Sequence, residues 1–368
     1  MLTNRVIERI CADMVAAMSA TPVVLVAFNR PDLTRRTLDA IRGAQPDQLF
    51  LVADGPREDR PGEEVLCREV RDELERVDWP CKVERRFSDV NLGCEANVEL
   101  GLDWVFSQVD EAVILEDDCI PDPTFFRYCD ELLVRYATDE RIWHIAGNSH
   151  WVPTELFTGD SYAFSTYASV WGWATWARAW HAHRAVFPRD HSDATPEVKT
   201  GAPVRTTSAT PKPGALVTPA ARRHYAAVAG SAADQYGWDS HWWLTIMSKG
   251  GLSVTPSVNI VANDGFGEGA THTRSSRPVT PSEPIHFPLR HPEVVALRES
   301  IERELELVLL RANGRLARAA RAVIRPLWLR GIVRRLVSNP VVWRWVRKAS
   351  QAASRVRQVM GRFEPRRH

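Results

Sequence analysis

From residue 22 onward, short apolar runs rich in β-branched residues alternate with stretches of mixed polarity. PVVLVAF (22–28), LFLVAD (49–54), CKVERRF (81–87) and AVILED (112–117) read as four strands. Asn29-Arg30-Pro31-Asp32 opens a helix through about Arg42. Pro31 and Asp32 suit its first turn, where spare N–H groups need no proline donor and favour an acid. NLGCEANVELGLDWVF (91–106) reads as a turn and then a helix, and FFRYCDELLVRY (125–136) as helical. Strands separated by helices predict an α/β fold, a mostly parallel, Rossmann-like sheet with helices on both faces. Ligands of such sheets bind outside the carboxyl ends of the strands. Here those ends carry Asn29 and Arg30, then Asp54, then Asn91, then Glu116, Asp117 and Asp118.

Beyond residue 140 the pattern turns irregular and rich in tryptophan. TPEVKTGAPVRTTSATPKPG (195–214) has little apolar content, which predicts a mobile insertion over 190–235. WDSHWWLTIMSKG (238–250) reads as a helix and GLSVTPSVNIVAN (251–263) as extended. The three glycines of GFGEGATHT (265–273) permit the dihedrals of a lid, expected over 263–276. In WGWATWARAW (171–180), Trp173, Trp176 and Trp180 stand at helical spacing. Such a stripe fits a core; alternatively Trp171 or Trp173 faces the cleft and stacks on a sugar ring. His181 and His183 share no helical face and take no metal role.

Composition adds an asymmetry. The 368 residues are 44% apolar and 25% charged with a formal net charge of +1, as in soluble globular proteins. Residues 311–368 hold sixteen Lys and Arg against one acid, Glu364, so residues 1–310 carry 31 basic and 45 acidic residues. Residues 291–368 are expected to form basic amphipathic helices, with Leu329, Ile332, Val333 and Leu336 on one face and Arg330 and Arg334 turned away. Arginine beside Trp328, Trp343 and Trp345 is the profile of a helix lying on anionic lipid. Packing against the acidic body is the competing reading, and no nucleic-acid partner is expected. No run reaches the roughly eighteen apolar residues of a membrane span. Residues 1–20 read as a helix whose acids, Glu8 and Asp13, do not suit a secretory signal. The six cysteines form no CxxC pair; reduced thiols and a cytoplasmic location are expected.

The acids after Val113-Ile114-Leu115 repel one another unless a cation or polar donors compensate. Side chains alternate along a strand, so Glu116 and Asp118 share a side and Asp117 points away. Hard oxygen ligands suit Mn²⁺ or Mg²⁺. A helix N-cap cluster with Asp122 and Thr124 is the alternative.

Taken in order, PVVLVAFNRP, LVADGP, NLG, VILEDDCIPDPTFFRYC, WGWATW, GWDSHWW and FGEGATHT resemble a bacterial GT-A fold, family 2-like glycosyltransferase, of the branch related to N-acetylglucosaminyltransferase I. The resemblance runs from about residue 21 to about 275, within a domain expected over 21–290. It implies that Asp118 coordinates Mn²⁺ (or Mg²⁺) on the donor diphosphate, with His272 as a second ligand, a diphosphate contact or a plain hydrogen-bonding side chain. It implies that Glu116 and Asp117 contact the ribose or donor sugar, that Asp54 reads the uracil edge, and that Arg30 faces the nucleotide. Phe28, Asn29, Asn91 and Gly93 complete the donor site. Asp239 matches the catalytic base, which flanking Trp238, Trp242 and Trp243 would desolvate; the alternative is an N-capping Asp.

The function this implies is metal-dependent, inverting transfer from a nucleotide-sugar, UDP-linked, to a glycan or lipid-linked acceptor at the inner face of the plasma membrane. Two other classes compete. A sugar-phosphate nucleotidyltransferase would carry a Gly-rich loop after the first strand, where this chain has AFNRPDLTRR without glycine. A non-catalytic, membrane-associating protein on a glycosyltransferase scaffold would not need Asp54, Asp118 and Asp239 together.

Overall fold

The computed structural model describes residues 21–150, 152–188, 222–223, 225–227, 237–265 and 281–311. The helix expected over 1–20, nearly all of the 190–235 insertion, His272 and the tail beyond 311 lie outside the described residues. The chain divides into two units, one of Met1–Gly265 with Val279–Leu310, the other of Phe266–Pro278 with Arg311–His368.

The centre of the first unit is an eight-stranded sheet in the order β3-β2-β1-β4-β8-β6-β9-β7. β1 (Val23–Ala27), β2 (Gln48–Ala53), β3 (Lys82–Phe87) and β4 (Glu111–Glu116) pair in parallel, with Val23 opposite both Leu49 and Val113. They alternate with helices α1 (Pro31–Ala44), α2 (Glu63–Leu74) and α3 (Cys94–Phe106), as the pattern predicts, although α2 gave little warning. Its buried stripe begins on an acid, Glu63, and continues through Cys67, Val70 and Leu74. β1 is buried along its whole length, so both of its faces are apolar. Val23 and Leu25 pack with Leu38, Ile41 and Val70 on one side, while Val24 and Val26 meet Val98, Leu102 and Trp242 on the other. β3 is one edge, and its Lys, Glu and Arg side chains suit that position.

The second half is mixed. β6 (Ile142–Ala146) and β9 (Leu252–Pro256) are parallel to each other, while β8 (Trp173–Trp176) and β7 (Tyr162–Ser165) run against their neighbours. A two-stranded ribbon, β5 (Cys119–Pro121) with β10 (Val261–Asn263), lies apart from the sheet. α4 (Thr124–Arg135), α5 (Ala177–Arg184), α6 (Trp238–Lys249) and α7 (Glu299–Arg311) complete the unit.

The expected tryptophan stripe is corrected here. Trp173 and Trp176 lie on a strand, and the helix starts only at Ala177. Three residues apart on a strand, the two rings point to opposite faces. Trp173 stacks on His144 at 5.0 Å and on Trp238 at 6.0 Å. Trp176 donates from Nε1 to the Leu133 carbonyl at 3.3 Å on the other side. α7 closes a third cluster, placing Ile301 and Leu305 with Phe157, Tyr167, Trp243 and Leu244.

Candidate functional site

β1 and β4 are neighbours whose following helices, α1 and α4, leave toward different parts of the sheet, which makes the gap between their carboxyl ends a topological switch point. Both strands end there in polar residues. β4 stops at Glu116, and Asp117 and Asp118 form a turn before β5. Strand alternation therefore does not continue: Asp117 and Asp118 both face Arg30, which corrects the expectation that Asp117 points away. Arg30 Nη1 donates to Asp118 Oδ2 at 2.9 Å, and its Nη2 pairs with Asp117 Oδ1. The Phe28 N–H donates to Asp117 Oδ2 at 3.3 Å.

Burial alone would lower the Arg30 pKa, but the attraction of Asp117 and then Asp118 outweighs it and holds the guanidinium charged. Glu116, half-buried, is pushed well up by burial and then by repulsion from Asp118 and Asp117, with Asp239 adding to it. Asp117 is pushed up by burial, against the opposing pull of Arg30. Three carboxyl groups of the turn thus share one guanidinium.

The other strand-end residues are tied to their own loops. Asp54, 3% exposed, accepts from the N–H groups of Gly55, Leu92 and Gly93 at 2.9, 2.8 and 3.0 Å, and from Asn91 Nδ2 at 3.1 Å. Burial raises its pKa and these backbone donors oppose the rise. Gly93 has φ +83°, the region that favours glycine, and this lets its N–H turn toward Asp54. Asp54 thus braces the β3–α3 loop with both of its oxygens. Asn29 Nδ2 donates to Glu63 Oε1 at 2.9 Å, and Glu63 also pairs with Arg57, which lies over the Phe28 ring at 5.3 Å. Arg57 and Glu63 carry no motif and escape sequence reading.

Asp239 sits in the first turn of α6, behind the N-cap Gly237, and is exposed. Trp238, Trp242 and Trp243 are 5%, 0% and 5% exposed and point into the core, so they do not sheathe it. Its Oδ1 accepts from the Ser240 N–H at 2.8 Å. Cys94, at the start of α3, is exposed. Trp173 is 1% exposed and cannot stack on a sugar; Trp171 is half-buried beside His150, ring centroids 5.1 Å apart.

One contribution to the acid turn comes from far along the chain. Asn263, at the end of β10, donates from Nδ2 to Asp118 Oδ1 at 3.2 Å, and the Asp264 N–H donates to the Asp118 carbonyl at 2.9 Å. Asp264 pairs with Arg36 of α1. A Cβ on Gly265 would lie 1.9 Å from Asp118 Oδ2, so only glycine fits there. A carboxylate pair already holding a guanidinium, beside a cradle a single methyl would fill, suits a hard cation.

Nearby, Glu95 and Glu99 of α3 and His241 of α6 bring ligand atoms within 4.8 Å of one another. Arg184 reaches Glu99 at 3.3 Å and Asp103 at 3.0 Å, so the group works as an ion-pair network joining α3, α5 and α6.

No family model matches the chain, and no curated protein matches it. Solved structures align at low identity. A UDP-glucose pyrophosphorylase complexed with UDP-glucose aligns at 10% identity and TM-score 0.24, over 40% of this chain and 63% of that one. A 4-diphosphocytidyl-2C-methyl-D-erythritol synthase from Anaerococcus prevotii aligns at 11% identity and TM-score 0.28, over 49% and 82%. The chain thus spans less than two thirds of the pyrophosphorylase. At these scores neither alignment bears on fold or activity, and the fold class rests on the strand order itself.

Proposed function

We propose that the chain transfers a hexosyl or N-acetylhexosaminyl group from a nucleotide-sugar, UDP-linked, to a hydroxyl of a glycan or lipid-linked acceptor. The observation that carries this reading is the meeting of Arg30, after β1, with Asp117 and Asp118, after β4, at the switch point. A leaving nucleoside diphosphate develops negative charge, which a guanidinium and a divalent cation stabilise. Asp118 would hold Mn²⁺ or Mg²⁺, which supplies that positive charge when bound, and Glu116 and Asp117 would contact the ribose or donor sugar. Arg30 would turn from the carboxylates toward the diphosphate. Asp239 would take the proton of the attacking hydroxyl, and a base on the acceptor side fits direct displacement with inversion. Asp54, consumed by its loop, would shape the nucleotide pocket through Asn91 and Gly93 rather than read the base itself. The basic residues of 311–368 would favour an anionic, inner-face membrane surface presenting a lipid-linked acceptor.

The second reading is nucleotidyl transfer from a nucleoside triphosphate to a sugar phosphate, the class of the UDP-glucose pyrophosphorylase named above. The β1–α1 connection, Phe28-Asn29-Arg30, has no glycine to wrap a triphosphate, which favours the first reading. One experiment separates them. Calorimetry of UDP with and without Mn²⁺, on wild type and Asp118→Asn, should show metal-dependent binding lost in the variant. Turnover should then release UDP from a UDP-sugar. Pyrophosphate release from UTP and a sugar 1-phosphate would instead select nucleotidyl transfer.

A further inference from the structure

Resting on that reading of the acid turn, we infer that Asn263 is a positioning residue that fixes the Asp118 carboxylate and leaves its Oδ2 for the cation. Asp118 divides its two oxygens between different kinds of donor. Oδ1 accepts from the neutral Asn263 amide at 3.2 Å and from Cys119 Sγ at 3.5 Å. Oδ2 accepts from the Arg30 guanidinium at 2.9 Å. A divalent cation replaces a positive donor without loss of charge balance, and it has no such reason to replace a neutral one. Oδ2 is therefore the exchangeable oxygen and Oδ1 the anchored one.

The amide of Asn263 is itself held at both ends. Its Oδ1 accepts from the Gly265 N–H at 3.0 Å while its Nδ2 donates to Asp118 Oδ1 and, at 3.9 Å, to Cys119 Sγ, so the amide oxygen accepts and the amide nitrogen donates. Asn263 is 8% exposed and sits on β10, whose pairing places it opposite Cys119, the residue after Asp118. The ribbon thus sets the distance between amide and carboxylate through backbone hydrogen bonds. The same amide draws Gly265 over the carboxylate, where a Cβ would lie 1.9 Å from Asp118 Oδ2 and 3.1 Å from Arg30 Nη1. Partners that orient a metal ligand in this way typically change metal affinity by about 10–100-fold when removed.

The test titrates Mn²⁺ into the full chain with UDP present and follows the free ion by electron paramagnetic resonance. Melting curves and UDP affinity in EDTA are recorded for the same samples. Asn263→Ala is expected to weaken Mn²⁺ binding by about 10–100-fold while metal-free UDP affinity stays within twofold of wild type. Gly265→Ala is expected to abolish Mn²⁺ binding. Equal Mn²⁺ affinity in wild type and Asn263→Ala overturns the inference, as does a parallel loss of metal-free UDP binding, which marks a merely structural residue. No Mn²⁺-dependent binding by wild type overturns the donor-site reading and the inference with it. If Asn263→Ala loses its cooperative melt, Asn263→Ser takes its place under the same criteria.

Discussion

The two halves of the sheet use polar residues in opposite ways. In the parallel half, β3-β2-β1-β4, the strand interiors of β1, β2 and β4 are apolar and the chemistry collects beyond their carboxyl ends, at Arg30, Asp54, Asp117 and Asp118. In the mixed half, β8-β6-β9-β7, polar groups lie inside the packing. His144, fully buried and held well below the usual imidazole range by burial, accepts from Trp242 Nε1 at 3.1 Å. Glu302 of α7, also fully buried, accepts from the Thr166 N–H at 2.9 Å and pairs with its hydroxyl. One half gathers its charged groups at the carboxyl ends of its strands; the other spends polar contacts on holding elements together. In the proposed site Asp239 would be the mixed half's contribution, and it comes from a helix end rather than a strand end.

If that division holds, substitutions in the two halves should fail differently. The largest effect is expected from Asp239→Asn: turnover should fall by about 10²–10⁴-fold, with the melting temperature and UDP–Mn²⁺ affinity unchanged. A comparable loss of stability would show that this exposed carboxylate is structural and blur the contrast. Trp173→Ala should act the other way, costing about 3–5 kcal/mol in denaturant unfolding because its ring fills a fully buried layer with His144 and Trp242.

Arg30→Ala should cost about 3 kcal/mol by leaving the buried Asp117 carboxylate without its partner. Added Mn²⁺ should recover part of that cost in a melting curve; no recovery would mean that a cation cannot take the guanidinium's place. The smallest effect is a slope. Burial pushes Glu302 up to about 7 from 4.5, against hydrogen bonds from Thr166. Its folded form therefore holds a proton that the unfolded chain releases, so stability falls as pH rises from about 4.5 to about 7, by up to about 3 kcal/mol. Glu302→Gln should flatten unfolding free energy measured across that range, whereas Asp239→Asn should not.

The parallel half was legible because each signal was local. Pro31 and Asp32 marked the start of α1, the β-branched run Val23–Ala27 marked β1, and the acids followed an apolar strand directly. The mixed half was less so. Trp173, Trp176 and Trp180 have helical spacing only because a four-residue strand runs straight into a helix at Ala177. Within the acid turn, alternation failed because β4 ends at Glu116, and no local feature announces where a strand stops. The contact of Asn263 with Asp118 spans 145 residues and exists only through the β5–β10 ribbon. The brace at Asp54 was hidden for the same reason: its partners, Asn91 to Gly93, belong to the next loop but one.

α7 also fixes how short a working version of this protein can be. Ile301 and Leu305 cover Phe157, Tyr167, Trp243 and Leu244, and Arg298 reaches the Phe157 carbonyl at 2.7 Å. A chain cut before Glu299 would present those rings to solvent beside the edge strand β7, a ready nucleus for aggregation. Anyone trimming the basic C-terminal region to improve solubility should therefore cut after residue 311, since the same operation a dozen residues earlier would have the reverse effect.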